Sequence, residues 1–145
     1  MILVDSCVLS LAFRRKRLHL NPTDLSFVDL LEAAINNQQV EILGVVRLET
    51  LIGIRDKSQY ERVKKALRAF KDVFLAVGDY EDAAQMSNKC RSAGIAGSPT
   101  DFLICAVAIR RDWKILTTDR DFEQYYKHLP LELVTSDTRR AHRPN

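Results

Sequence analysis

Ile2-Leu3-Val4-Asp5-Ser6 opens the chain with an apolar run too short for a helix and closed by an acid. It reads as a buried strand that delivers a carboxylate at its carboxyl end. A second such stretch lies far along the chain, where Lys114-Ile115-Leu116-Thr117 runs into Thr118-Asp119-Arg120-Asp121-Phe122. Between the two, strand and helix signals alternate. Asn21-Pro22-Thr23-Asp24 is a loop and cap ahead of Leu25, Val28, Leu31 and Ile35 at helical spacing. A second strand is expected over Val40–Leu43, then helices from Val45 to about Ile54 and from Ser58 to Phe70. A third strand is expected over Val73–Val77, followed by a helix capped by Asp79 and running to about Ala93. Gly94 and Gly97 break the chain before an apolar helix over Pro99–Arg111. The fourth strand is Lys114–Thr117, a short helix runs from Asp121 to about Lys127, and Leu131–Val134 is the last strand. Strands apolar on both faces and separated by helices indicate an α/β protein with a parallel central sheet covered on both sides. In such sheets ligands gather at the carboxyl edge, where both acid-ended strands stop.

The 145 residues suit one domain, expected over 1–135, with 136–145 as a flexible basic tail. With 46% hydrophobic and 28% charged residues the composition excludes disordered and collagen-like chains. The longest apolar stretch, Phe102 to Ile109, is far short of the ~18–20 residues of a membrane span. The N-terminus has no basic lead or cleavage site, so a cytoplasmic protein is expected. Cys7, Cys90 and Cys105 are odd in number and lack any CxxC, and His19, His128 and His142 are scattered, so neither a disulfide framework nor a zinc site is indicated. The net charge of +3 is carried by Arg139, Arg140 and Arg143, without which the body is neutral. Charge is nevertheless concentrated locally: no acid lies between Asp5 and Asp24, while Arg14, Arg15, Lys16 and Arg17 are consecutive. Such clusters suit a polyanion, or else form a solvated face.

The acids are the informative residues. Asp5 is either a turn acid or a site carboxylate at the sheet edge. Glu49 has Val45, Val46, Ile52 and Gly53 as helical neighbours, so it is expected to project from an apolar stripe, where an ionised carboxylate needs a cation. Arg47 and Arg55 could supply that cation by a salt bridge, as could a metal. Ser98-Pro99-Thr100-Asp101 reads as a capping box, yet the helix it opens is apolar almost all round, so Asp101 also points into the domain. Of Asp119 and Asp121, one is expected to cap the next helix and the other to stand at the sheet edge. Acids converging from several elements repel one another unless a cation resolves the repulsion, and Mg²⁺ or Mn²⁺ prefers such hard oxygen ligands. Such a site suits phosphodiester hydrolysis.

These stretches resemble the PIN-domain ribonucleases, and among them the toxins of VapBC-type toxin–antitoxin pairs. The resemblance rests on Ile2-Leu-Val-Asp5-Ser6, Arg47-Leu-Glu49, Pro99-Thr-Asp101-Phe-Leu-Ile-Cys-Ala106 and Ile115-Leu-Thr-Thr-Asp119-Arg-Asp121-Phe122, in that order over nearly the whole chain. It implies a three-layer α/β/α sandwich and Mg²⁺- or Mn²⁺-dependent cleavage of RNA. Asp5, Glu49, Asp101 and Asp119 would hold the metal, Asp121 would be accessory or alternate, and Ser6 would help orient the site. It also implies a homodimer and a cognate antitoxin whose C-terminal segment occupies a groove beside the site.

Other readings fit less well. A receiver-like domain would carry an acidic pair before its first helix, and a HAD-type phosphatase would need an acid where Cys7 stands. Gly94-Ile-Ala-Gly97-Ser-Pro is neither GxGxxG nor a P-loop, and no GxSxG elbow occurs. The alternative from another class is a catalytically silent RNA- or protein-binding module. Such a module would have no reason to keep Glu49 on an apolar helix face.

Overall fold

A computed structural model describes residues 1–135; the basic tail with Arg139, Arg140 and Arg143 lies outside them. Strand β1, Ile2–Val4, is the centre of a parallel three-stranded sheet, flanked by β2, Val40–Glu41, and β3, Lys114–Leu116, in the order β2-β1-β3. Leu3 pairs with Glu41 on one side and Ile115 on the other, and Val4 pairs with Leu116. Parallel neighbours require helical crossovers. Helices α1, Ser6–Phe13, and α2, Pro22–Asn36, link β1 to β2; α3, Gly44–Leu51, α4, Lys57–Leu67, α5, Val77–Ser92, and α6, Pro99–Arg111, lead to β3. A 3₁₀ turn over Arg17–His19 joins α1 to α2, and α7, Asp121–Tyr126, follows β3. Helix α1 packs on α2 and α3, and α5 packs along α6, which also meets β3. Helices thus clothe both faces of the sheet in the expected α/β/α sandwich.

Leu3, Val4, Ile115 and Leu116 are wholly excluded from solvent, which is why these short strands read as apolar throughout. Helix α6 buries Phe102 and every residue from Ile104 to Ala108, so it runs through the interior. Polar caps fix where helices begin. Asn21, Asp56 and Ser98 side chains accept from the backbone N–H of Asp24, Gln59 and Asp101, each cap contributing about 1 kcal/mol.

Two expected strands are absent as strands. Of Val73–Val77, the residue before it, Asp72, makes one parallel bridge to Ile42, and Val77 begins α5. Its neighbour β2 is only two residues long before α3 begins, so no ladder exists for the segment to extend. Leu131–Val134 is likewise reduced to one bridge, Ile115 to Leu133, because β3 offers three residues. Helix α3 stops at Leu51, short of Ile54, where Gly53 takes a left-handed φ of 80°. Asp79 does not occupy the cap of α5. That position is Ala76, and Asp79 lies in the first turn, accepts from the Ala76 N–H at 2.9 Å and is buried against Arg110 and Arg111 of α6.

Candidate metal centre

The carboxyl edge of the sheet collects the acids because β1 and β3 are adjacent and parallel, so Asp5 and the segment after Leu116 leave the sheet side by side. Asp5 is only 6% exposed. Its Oδ1 accepts from the Ser6 N–H at 2.7 Å, opening α1, and its Oδ2 accepts from the Thr117 hydroxyl at 2.8 Å. The Cys7 thiol lies 3.4 Å from both Asp5 Oδ2 and Thr117 Oγ1. Burial pushes the Asp5 carboxyl above its usual range, opposed by the hydrogen bonds from Thr117, Ser6 and Cys7 and assisted by the Asp101 charge.

Thr117 is the hub between the two strands. While its hydroxyl donates to Asp5, its oxygen accepts from the Asp119 N–H at 3.0 Å. Asp119 Oδ1 in turn accepts at 2.9 Å from the N–H of Asp121, the first residue of α7, while the cap itself is Arg120, whose side chain makes no capping bond. Neither acid therefore occupies the cap that one of them was expected to fill: Asp119 stands just before it and Asp121 just inside the helix.

Asp101 enters from the mouth of α6. Ser98 caps the helix by accepting from the Asp101 N–H at 3.1 Å, while the buried Tyr125 of α7 donates its hydroxyl to Asp101 Oδ2 at 2.7 Å. Burial is the main cause that raises the Asp101 carboxyl; the Tyr125 and Ser98 hydrogen bonds oppose it and the Asp119 charge adds to it. Burial, and then the hydrogen bond to Asp101, push the Tyr125 phenol upward, which keeps it a proton donor.

One oxygen from each of Asp101, Asp119 and Asp121 lies within 4.8 Å of the others, and among the described residues this is the one acid, histidine or cysteine trio so placed. Three converging carboxylates, one half-buried with its pKa raised, are a donor set that fits a hard divalent cation. Asp5 stands beside the trio, tied to it through Thr117 and electrostatically coupled to Asp101. Glu49 is one step removed: its Oε2 accepts from the Ser6 hydroxyl at 3.1 Å. Its expected apolar surroundings are only half present, since Val46 is buried while Ile52, beyond the end of α3, is 62% exposed. Arg47 is not its partner. That guanidinium binds Asp72 and the carbonyls of Leu67 and Phe70, tying α3 to the end of α4.

Sequence reading does not single out Thr117 or Tyr125. A strand-end Thr-Thr pair is the one signal for the first; the second, one aromatic among several in α7, carries none.

The basic run divides. Arg17 pairs with Asp29 and Glu32 of α2, and Arg14 donates to the Ile52 carbonyl. Arg15 and Lys16 instead meet Arg62 of α4 at the rim of a groove of about 370 Å³ floored by Ala12, Phe13, Val63 and Ala66. Arg62, Lys64, Lys65 and Arg68 continue the surface along α4 and its C-cap together with Glu61, which pairs with Lys64 at 3.4 Å.

The family profile of the PIN domain matches residues 2–128. Solved structures of similar fold include FitAcB from Neisseria gonorrhoeae, with TM-score 0.69 and 18% identity over 93% of this chain and 97% of that one. VapBC2 from Rickettsia felis bound to a DNA fragment from its promoter gives TM-score 0.71 and 17% identity over 94% and 100%. FitAB bound to the IR36 DNA fragment gives 0.69 and 19% over 92% and 94%. No curated protein matches the sequence. At these identities the structures establish the fold alone, whereas the profile spans most of the chain: it belongs to the PIN-domain family.

Proposed function

We propose that the chain is a Mg²⁺- or Mn²⁺-dependent endoribonuclease and the toxin of a toxin–antitoxin pair, its nuclease domain comprising residues 1–135. The observation that carries this reading is the Asp101–Asp119–Asp121 trio at the carboxyl edge of the sheet, with Asp5 held against it by Thr117. When bound, the cation would lower the pKa of a water and neutralise charge developing on the phosphoryl group. Asp101 and Asp119 are the proposed principal ligands with Asp5, while Asp121 completes the trio. Glu49, joined to Ser6, is proposed to hold and orient what approaches Asp5.

The substrate is proposed to be RNA. Arg15, Lys16 and Arg62 have no acidic partner among the described residues and would take backbone phosphates, while Arg17 is occupied by Asp29 and Glu32. The proposed protein partners are an antitoxin and a second copy of the chain, in keeping with the FitAB- and VapBC-like fold. Phe74 and Val77, 82% and 74% exposed, are apolar side chains available to such partners. No helix among the described residues is long and apolar enough to cross a membrane, and action in the cytoplasm is part of the proposal.

The test is cleavage of single-stranded RNA by the purified chain freed of any partner. Cutting should occur in Mg²⁺, stop in EDTA and be lost in Asp119→Asn. Equal cutting in EDTA would overturn the metal mechanism.

A further inference from the structure

We infer that Tyr125 determines the metal specificity of the site, acting through Asp101 to make that carboxylate a one-oxygen ligand and so to favour a small octahedral cation over a larger one. The inference rests on the acidic trio being a divalent-metal site.

Two independent observations point to this side chain. The Tyr125 hydroxyl donates to Asp101 Oδ2 at 2.7 Å from a ring that is completely buried. The ring is held by Phe102, with centroids 4.9 Å apart, and by Phe122 at 5.2 Å, so the hydroxyl has no room to swing away. The second observation is Gly97. A Cβ there would overlap the Tyr125 hydroxyl oxygen and lie 2.8 Å from Tyr125 Cζ and 2.9 Å from Phe102 Cε2. Gly97 is not among the glycines with positive φ, so the backbone does not demand glycine at that position. What demands it is the space taken by the Tyr125 phenol, which presses closest, and by the edge of the Phe102 ring. A side chain at position 97 would therefore push the phenol off Asp101 Oδ2 as well as crowd Phe102.

Ser98, the next residue, fixes the Asp101 backbone as the cap of α6, so Asp101 is pinned at its N–H and at Oδ2. An oxygen that accepts a short hydrogen bond from a fixed phenol is a poor second donor to a cation, which leaves Oδ1 as the stronger donor of this carboxylate to a cation shared with Asp119 and Asp121. Mg²⁺ demands near-octahedral geometry and is commonly held by one or two carboxylates with waters, whereas Ca²⁺ takes six to eight oxygens and accepts two-oxygen carboxylates. One-oxygen binding by Asp101 selects the former. Asp121 and Tyr125 are four residues apart on α7, on one face, so a single short helix supplies one ligand and orients another. Tyr125 is thus a positioning residue that does not itself touch the cation.

The experiment is calorimetric titration of Mg²⁺ and of Ca²⁺ into the metal-free chain and its Tyr125→Phe, Gly97→Ala and Asp101→Asn variants. Phenylalanine removes the hydroxyl and alanine displaces it, so the two variants attack one hydrogen bond from opposite sides. Each should lower the Mg²⁺-to-Ca²⁺ affinity ratio by about tenfold, in keeping with the 10–100-fold effects of groups that orient metal ligands. Melts in EDTA check that each variant is folded, and if one is not, the other decides. A ratio unchanged in the folded variants, with both affinities falling together, would make Tyr125 a packing residue and overturn the inference. Wild type and Asp101→Asn binding Mg²⁺ equally would overturn the metal-site reading itself, a distinct result.

Discussion

Replacing Asp101 by Asn separates a structural acid from a functional one. The cap of α6 survives, because it is the Ser98 hydroxyl that accepts from the residue 101 N–H and not the Asp101 side chain that does the capping. The Asn carbonyl can still accept from Tyr125, so that bond is kept. Lost is a negative charge in the first turn of α6, which contributes about 0.3–1 kcal/mol through the helix dipole. Gained is relief of the burial and of the Asp119 charge that raise the Asp101 carboxyl. The two effects oppose each other, and without metal the variant should lie within about 1 kcal/mol of wild type, a shift of about 4 °C or less in a domain of this size. With metal the balance changes. At a Mg²⁺ concentration 100 times its dissociation constant, wild type gains about 2.7 kcal/mol, which is roughly 10 °C. The variant, with one of three converging carboxylates removed, should lose most of that gain along with RNA cleavage. The assay is thermal melting in EDTA and in Mg²⁺, beside cleavage of a labelled RNA. An equal Mg²⁺ shift in both proteins, or a metal-free loss well beyond the dipole contribution, would refute the reasoning.

Titration gives a second handle. Asp5 and Asp101 have carboxyls raised by burial, so each favours the folded state most below the unfolded value near 4 and loses that contribution as pH rises through its folded pKa. In EDTA, stability should therefore climb as pH is lowered through the folded pKa values towards the unfolded value near 4, less steeply in Asp5→Asn; identical slopes would count against the buried-carboxyl account. Salt dependence tests the basic groove: neutralising Arg15, Lys16 and Arg62 together should reduce the log–log slope of RNA affinity by about 0.7 for each phosphate left without its cation. Arg17→Gln, whose guanidinium already serves Asp29 and Glu32, should leave the slope unchanged. A flattened slope in Arg17→Gln with none in the triple variant would reverse the assignment.

Where a segment's partner is itself strongly marked, its structure is legible in the sequence. Ile2–Val4 and Lys114–Leu116 are mutual neighbours, each apolar on both faces, and each is recognisable because the other completes its burial. Val73–Val77 has the β-rich composition of a strand but no ladder to join, since β2 spans two residues; pairing is a property of two segments, and one segment's composition does not contain it. The end of α3 illustrates the same limit from the helix side. Spacing from Ile52 and Gly53 puts Glu49 on an apolar stripe, but a left-handed glycine ends the helix first and leaves Ile52 in solvent.

The acids are visible in the sequence because a carboxylate at a strand end or beside a buried run is costly enough to need an explanation. Their supports are not, because Thr117 and Tyr125 are ordinary residue types whose role depends on what they face. Thr117 matters because parallel pairing of Val4 with Leu116 brings it alongside Asp5, 112 residues away, where one hydroxyl serves Asp5 as donor and the Asp119 N–H as acceptor. A valine of the same shape would fill the space and leave both groups without that partner, the situation in which a buried polar group costs most. The division of labour follows from the chemistry. In the proposed site the carboxylates share a cation or stand beside one, so each is served by a neutral donor that fixes its direction without neutralising its charge. Hydroxyls from Thr117, Ser6 and Tyr125 meet that requirement for Asp5, Glu49 and Asp101, whereas a lysine or arginine in the same places would compete with the metal for the charge it is meant to bind.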